Sequence, residues 1–197
     1  MIHCSKKTIR MTRNKKLRLL VTKKCHNDCP KCCNKQYDLD AVPVIDRFDY
    51  DEVCITGGEP MLDFQNVIRI AEMFKTVATV LGKEVKVYLY TARITSAQLH
   101  VMMTRELIDG ICVTPHSNGD INDFKKLNRG LLFNFDIDNS FYEDISLRLN
   151  LFADVKEHLK DENLILWKIK EMEWLDECPV PEGEDFRRVA FREVTYL

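Results

Sequence analysis

The sequence predicts an α/β protein built on an open six-stranded parallel sheet, a (β/α)6 partial TIM barrel. Short apolar runs alternate with amphipathic segments about six times, which is the pattern of βαβ units with right-handed crossovers. The 197 residues fit one domain. Because six units are fewer than the eight of a closed barrel, we expect an open edge and functional loops at the carboxyl ends of the strands.

The first half of the chain is expected to supply two strands and the most regular helix. Compact apolar runs predict strands over residues 17–22 and 52–56. Apolar residues then recur at three- and four-residue steps between Asp63, a suitable N-cap, and Gly82, a suitable stop. Between the two strands, Pro43 disfavours any long helix.

The second half is expected to supply four more strands, each reached through a helix or an irregular crossover. The helix that begins near Asp120 should end at Gly130, and residues 131–144 should form an irregular crossover. A Thr95/Gln98 capping box predicts another helix start. The predicted strands are residues 85–90, 110–114, 145–151 and 164–169, with a short helix over residues 154–160.

Charge divides the chain into a basic arm (residues 1–16), the barrel domain (residues 17–170) and an acidic tail packed on the same domain (residues 171–197). Residues 1–24 carry nine Lys/Arg and no acid, and the tail carries eight acids and three Arg. We expect these regions to be solvated or to lie against each other, with docking of an acidic electron donor or an anionic substrate as the alternative. A net charge of −2 makes nucleic acid an unexpected partner.

Nothing in the sequence predicts a membrane or secretory segment. No stretch approaches the roughly 20 apolar residues of a membrane span, and no apolar segment follows the basic N-terminus. A cytoplasmic protein is therefore expected. Eight cysteines in such a chain favour metal ligands or reactive thiols over a disulfide framework.

Three cysteines at C-x3-C-x2-C spacing, Cys25, Cys29 and Cys32, follow the first predicted strand. Three thiolates on one loop can hold three irons of a [4Fe–4S] cluster and leave the fourth iron open. Structural zinc usually takes four ligands in paired groups, which this spacing lacks. On these residues alone, a zinc loop completed by His26 or Cys33 stays open as the alternative.

A second motif, Gly57-Gly58-Glu59-Pro60, follows the second predicted strand. In combination with the cysteine motif it resembles the radical S-adenosylmethionine (SAM) superfamily. In that family a C-x3-C-x2-C loop follows the first barrel strand and a G-G-E-P-type motif follows the second. The resemblance covers roughly residues 17 to 170 and implies one [4Fe–4S] cluster, held by the three cysteines, with SAM as its partner.

The resemblance also implies a reaction. The open iron would bind SAM through its amino and carboxylate groups, and a reducing partner such as flavodoxin or ferredoxin would supply an electron. SAM would split into methionine and a 5′-deoxyadenosyl radical, which abstracts hydrogen from a substrate. The protein would supply position, electrostatics and exclusion of water. Gly57 and Gly58 would let backbone approach the methionine end, and Glu59 would make a charge-assisted contact there.

Other strand ends are expected, on the same resemblance, to contact SAM. Arg148 and Asn150 stand two apart and point the same way, although a surface pair is the alternative. His116 is open between a substrate contact and a loop residue. The implied SAM contacts are Thr91, Thr114, Ser117, Arg148, Asn150 and Lys168.

Two residues depart from the family pattern. Lys31 stands where many members have an aromatic residue against the adenine, so stacking must come from elsewhere. Cys33, next to the third motif cysteine, is expected to take no part. Cys54 and Cys112 lie in apolar strands and are expected to be small core residues, so one cluster and no auxiliary-cluster domain is predicted.

The predicted function is that of a minimal radical SAM enzyme with a small-molecule substrate, and chemistry like that of 7-carboxy-7-deazaguanine synthases fits. A small substrate is favoured because residues 131–144 and 170–186 could close over the barrel mouth. A glycyl-radical-enzyme activase, acting on a protein partner, is the alternative within the family. A non-catalytic iron–sulfur or zinc module is the alternative from another class.

Overall fold

The computed structural model describes residues 15–137 and 144–190. Within these residues the chain forms one open sheet of seven parallel strands, so the predicted α/β class and parallel sheet are confirmed. The strands are β1 (Lys16–Leu20), β2 (Glu52–Thr56), β3 (Lys86–Thr91), β4 (Gly110–Val113), β5 (Ser146–Phe152), β6 (Lys168–Met172) and β7 (Glu184–Arg188). The α-helices are α1 (Phe64–Val80), α2 (Ser96–Thr104), α3 (Asn118–Ile137) and α4 (Ala153–His158).

None of the helices in the described ranges combines the length and the apolar character that crossing a bilayer requires. Residues 1–14 of the predicted basic arm and residues 191–197 of the predicted tail lie outside the described residues.

The four helices cover one face of the sheet. The strand order is β6-β5-β4-β3-β2-β1-β7, so β1 to β6 advance in one direction. Right-handed crossovers then place α1 to α4 on the same side. Alternate strand side chains and the apolar sides of the helices accordingly form a single buried cluster. It includes Leu17, Ile55, Leu89, Val113 and Leu149 from the strands, and Phe74, Leu99, Leu127 and Val155 from the helices.

The opposite face of the sheet, here called the polar face, carries different chemistry. Its side chains lie outside the buried cluster, although parallel sheets are usually apolar on both sides. Several of them are half-buried or exposed, so this face offers polar groups to a ligand. The polar face comprises Arg18, Cys54, Tyr88, Tyr90, Cys112, Arg148, Asn150, Lys168 and Lys170.

The tail contributes a strand that the sequence does not predict, so the expected count of six strands is wrong. β7 lies parallel to β1, and its position is fixed by two partly buried polar contacts. Arg18 Nε donates to Glu184 Oε2 at 2.7 Å, and the hydroxyl of the buried Tyr50 donates to Asp185 Oδ2 at 2.6 Å. These contacts depend on residues distant in sequence, and β7 itself has little apolar periodicity to reveal it.

Helix α3 continues past Gly130, where it was expected to stop. Residues 131–137 are therefore helical and not part of a crossover, and residues 138–143 lie outside the described residues. A Cβ at Gly130 would lie 2.8 Å from Ser96 Oγ, which shows that the missing side chain permits close packing against α2. Leu131, just beyond it, is buried and helps to hold the added turns.

Strand β6 begins at Lys168, four residues later than predicted, because Trp167 packs against α3 and does not pair with β5. The Trp167 ring packs on Phe124 of α3 with centroids 5.0 Å apart, and its Nε1 donates to Asn128 Oδ1 at 2.9 Å. Asn128, which is fully buried, also donates from Nδ2 to the carbonyl of Asn163 at 3.0 Å. Trp167, which was expected in the strand, therefore joins the connection before β6 to α3.

Asn128→Ala should remove both of these hydrogen bonds and leave the Trp167 indole N–H buried without that acceptor. We expect the free energy of unfolding to fall by about 1–3 kcal/mol, measured by urea denaturation with tryptophan fluorescence. Asn134→Ala, at an exposed position of the same helix, is the matched control and should change stability by less than about 0.5 kcal/mol. Equal losses in the two variants would contradict the role assigned to Asn128.

Candidate functional site

The three motif cysteines lie on the loop of residues 23–32, here called the cysteine loop, which leaves the carboxyl end of β1. Their thiols are free; Cys25 is exposed and Cys29 and Cys32 are half-exposed. Burial, reinforced by the neighbouring cysteines, raises the pKa of Cys29 to about 11. Nowhere in residues 15–137 and 144–190 are three or more His, Cys, Asp or Glu side chains arranged to hold a metal ion. The thiols thus share one loop without forming a ready-made coordination set.

The G-G-E-P turn packs directly on the start of the cysteine loop. Gly58 N donates to the carbonyl of Thr22, and Glu59 N donates to the carbonyl of Lys24, both at 2.7 Å. A Cβ on Gly58 would lie 2.0 Å from the Lys24 oxygen, and one on Gly57, whose φ is +132°, would lie 2.7 Å from the Thr22 oxygen. The glycines are therefore required by this close approach of two chain segments. Their expected contact with SAM stays a prediction.

Glu59 joins the carboxyl ends of β2 and β3. Its side chain is almost fully buried, and Oε1 accepts hydrogen bonds from Met61 N at 2.9 Å and from Thr91 Oγ1 at 2.5 Å. Its Oε2 accepts from Ala92 N at 2.8 Å. Burial raises the pKa of Glu59, while these donors act in the opposite direction. Pro60, buried beside it, begins a short 3-10 turn. Two of the predicted SAM contacts, Glu59 and Thr91, thus hold the edge of the sheet together; a contact of these residues or of Pro60 with SAM stays a prediction.

Asp120 is the site residue that sequence reasoning missed. Its side chain has no exposed surface, and Oδ1 accepts from His26 Nε2 at 2.8 Å. Its Oδ2 accepts from Asn27 Nδ2 at 2.7 Å and from the backbone N–H groups of His116 and Ser117, each at 3.1 Å. Burial alone would raise the pKa of Asp120, but the hydrogen bonds outweigh it and hold that pKa below its ordinary value. The carboxylate therefore ties the cysteine loop to the start of α3.

A sequence signal for this contact exists. Ser117 and Asp120 have the spacing of a capping box, and Ser117 Oγ indeed accepts from Asp120 N at 3.3 Å. The capping pattern predicts a helix start. It does not predict that Asp120 also accepts hydrogen bonds from two side chains of the cysteine loop, 93 and 94 residues earlier. The predicted SAM contact Ser117 is thereby placed at the helix cap.

The remaining predicted SAM contacts lie together on the polar face. Thr114 Oγ1, just after β4, accepts from Asn150 Nδ2 of β5 at 3.1 Å. Arg148 stacks over the Tyr88 ring, with its guanidinium carbon 4.7 Å from the centroid. Lys168 of β6 is the register partner of Arg148 and is exposed. The structure therefore brings these four residues onto three neighbouring strands. Lys168, however, is the first residue of β6 and lies at the amino end of that strand, so its expected place at a carboxyl end is wrong.

His116 lies in an aromatic group at the ends of β4, β5 and β6. Its ring centroid is 5.5 Å from those of Phe152 and Trp174, which stack on each other at 4.0 Å. Burial lowers the pKa of His116, and its Nδ1 is a buried atom without a hydrogen-bond partner among the described residues. A buried nitrogen of this kind is suited to a ligand that brings its own donor or acceptor.

Residues 173–183, here called the strap, run from β6 along the carboxyl edge to the cysteine loop and on to β7. Asp176 pairs with Lys31 at 2.7 Å, and its carbonyl accepts from Gln36 Nε2 at 2.9 Å. Cys178 N donates to Gln36 Oε1 at 2.7 Å, and Cys178 is joined to Cys33 by a disulfide. Cys33, expected to take no part, therefore anchors the strap next to the third motif cysteine, a bridge that the sequence does not predict.

The motif supplies three free thiols, whereas structural zinc usually takes four ligands. Of the described cysteines outside the motif, Cys33 and Cys178 are bridged, and Cys54 and Cys112 are buried in strands, as predicted for the last two. Three thiols are the number of protein ligands that a [4Fe–4S] cluster with one open iron takes, but among the described residues they are not arranged as a metal-binding group, so the cluster stays a prediction.

No protein-family model matches the chain, and no match to it was found among curated proteins. The site has to be interpreted from its own residues.

Asp120→Asn should loosen the connection between α3 and the cysteine loop. Because the folded-state pKa of Asp120 is lowered, its contribution to stability is present above the unfolded-state pKa of about 3.9 and is lost as the pH falls through the folded-state value. We expect a loss of about 1.5–3 kcal/mol at pH 7, which shrinks steadily below about pH 4, measured by urea denaturation across pH.

The control for this experiment is Asp123→Asn on the same helix, which removes only surface ion pairs, with Lys126 at 3.3 Å and with Arg93 at 3.5 Å. Such pairs contribute at most about 1 kcal/mol. If both variants lose the same stability at every pH, Asp120 does not hold the loop.

Proposed function

We propose that the protein is a radical SAM enzyme on a partial TIM barrel, with a [4Fe–4S] cluster on Cys25, Cys29 and Cys32 and a small-molecule substrate. The observation that carries this proposal is the placement of three free thiols at the carboxyl edge of a parallel sheet. The loop that bears them packs on the G-G-E-P turn of the neighbouring strand and is tied to α3 by Asp120.

The partial-barrel part of the proposal is supported by the chain order. All four helices of the described residues pack in one cluster with one face of the sheet, and the strands succeed one another from β1 to β6. A parallel sheet wound in this way curves around its uncovered face, as in TIM barrels. Here that uncovered face is polar, which suits a ligand site rather than a packed barrel core.

A reduced cluster bound at this loop would supply the electron that splits SAM into methionine and a 5′-deoxyadenosyl radical able to abstract hydrogen from a substrate. Two contacts of the cysteine loop suit the binding of such a cluster. Asn27 N donates to the sulfur of Cys25 at 3.4 Å, and hydrogen bonds to ligand sulfurs tune iron–sulfur clusters. The Asp120 carboxylate fixes the loop that carries all three thiols.

SAM would lie between the cysteine loop and the polar face. Gly57, Gly58 and Glu59 border its methionine end in this proposal. Thr114, just after β4, and Asn150, in β5, offer a hydroxyl and an amide on the polar face. The proposed contacts farther along this face, or beside it, are Arg148, Lys168, Thr91, Ser117 and Pro60.

The aromatic group formed by His116, Phe152 and Trp174 offers the aromatic surface for the adenine that Lys31 cannot provide. In this proposal the adenine packs beside these rings, and the unpartnered Nδ1 of His116 meets one of its nitrogens. The group lies at the ends of β4 to β6, where SAM would present its nucleoside.

The strap favours a small substrate over a protein partner. It runs along the carboxyl edge, where it is held by the Cys33–Cys178 disulfide and the Lys31–Asp176 pair. A strap that closes over the site would exclude water from a radical reaction and limit the size of what enters. A reducing partner such as flavodoxin or ferredoxin would then deliver its electron from outside.

Anaerobic reconstitution tests the proposal. The full chain should bind about four irons and, with dithionite and SAM, release 5′-deoxyadenosine, because one cube needs three thiolates from this loop. Cys29→Ala should lose both iron and SAM cleavage, whereas Cys54→Ala, which alters a buried strand cysteine, should keep both. Zinc binding without any SAM cleavage would instead support a non-catalytic metal-binding module, and full activity of Cys29→Ala would refute the cluster assignment.

A further inference from the structure

Three cationic residues occupy neighbouring positions on the part of the polar face formed by β5 and β6. Arg148 stands directly opposite Lys168 in the sheet register, and Lys170 stands opposite Asn150. Like charges on opposite positions of neighbouring strands repel and destabilise a sheet. A negatively charged ligand on this part of the face would supply the opposite charge that these positions lack.

No carboxylate among the described residues balances these charges. Arg148 Nε donates to Ser146 Oγ at 3.1 Å and its guanidinium covers the Tyr88 ring, and neither partner is an anion. Lys168 and Lys170 are exposed, and no ion pair holds either of them within the described part of the chain.

Cations elsewhere on the same sheet are paired, so the imbalance is local. On the polar face at the other edge, Arg18 contacts Glu184 at 2.7 Å. On the helix face of β6 itself, Lys156 of α4 contacts Glu171 at 2.5 Å. Within the described residues, the strand cations Lys16, Arg18 and Lys86 each contact a carboxylate, whereas no such contact is present in front of β5 or on the polar side of β6.

SAM does not supply the missing charge. It carries one carboxylate against an ammonium and a sulfonium, so its net charge at neutral pH is positive. Its carboxylate could take Arg148, as the family resemblance implies, and Lys168 and Lys170 would still lack a counter-charge. The acidic groups of the proposed cofactor site, Glu59 and the thiols, follow β2 and β1, with β3 and β4 lying between them and β5.

The groups around the three cations suit recognition of a polar molecule. Asn150 and Thr114 offer hydrogen bonds at the level of Lys170. The positive charges of Arg148 and Lys170 also reach the buried Cys112 on β4. Burial raises the pKa of Cys112, and these two charges act in the opposite direction.

We propose that the polar face of β5 and β6 binds a substrate group with at least two negative charges, a phosphate monoester or a dicarboxylate, through Lys168 and Lys170 with Arg148 beside them. That the bound anion belongs to a substrate depends on the proposed function, whereas the anion site itself follows from the charges of this chain. The field of two exposed lysines is screened by salt, so binding should weaken as ionic strength rises.

The test is anion binding to the purified full chain without iron or SAM, measured by calorimetry at low ionic strength. Inorganic phosphate and malonate are the two probes, and the tighter one identifies the class of group. Lys168→Gln/Lys170→Gln should bind the preferred probe at least about tenfold more weakly, as expected for the loss of about 1.4 kcal/mol or more. Lys156→Gln, which alters only the helix side of β6, should bind it like the parent.

A residue-level measurement accompanies the titration. The bound anion should slow acetylation of Lys168 and Lys170 by acetic anhydride, followed by mass spectrometry, and should leave the rate at Lys156 unchanged. Failure of both probes to bind the parent, or equal binding by the double variant, would overturn the proposal.

The two proposals can fail separately. Anion binding without SAM cleavage by the reconstituted protein would keep the anion site and reject the radical SAM function. SAM cleavage without any probe binding would keep the function and reject an anionic substrate.

Discussion

Asp120 bears a negative charge at a position where its side chain has no contact with water. Burial of a carboxylate is costly unless donors replace the lost hydration. Four donors do so here, two from side chains of the cysteine loop and two from the backbone at the start of α3. The loop therefore cannot leave α3 without exposing or stranding this charge, and the position of the three thiols over the sheet depends on it.

The two motifs of the sequence meet through backbone hydrogen bonds. Gly58 has no room for a side chain because the carbonyl of Lys24 occupies that space. The Glu59 carboxylate accepts hydrogen bonds from Thr91 and Ala92 and so joins the ends of β2 and β3. The same residues that the family resemblance assigns to SAM thus first build a rigid edge. A rigid edge with free thiols above it suits a site that must hold a reactive group in one place.

Local patterns predicted much of this fold. β2, the Asp63 cap of α1 and the Thr95/Gln98 capping box of α2 agree with prediction because each depends on neighbours within a few residues. Strand β7, the Asp120 contact and the Cys33–Cys178 bridge could not be predicted, since each joins residues about 94 to 166 positions apart. Gly130 was misjudged for a related reason: its role is set by Ser96 on another helix.

The proposed cluster on the cysteine loop, with one iron open to SAM, can be observed by electron paramagnetic resonance of the anaerobically reconstituted and reduced protein, recorded before and after SAM is added. We expect the signal of one reduced [4Fe–4S] cluster, with g values that change when SAM binds the open iron. A protein that shows no cluster signal, or a signal that SAM leaves unchanged, would contradict the proposed cluster.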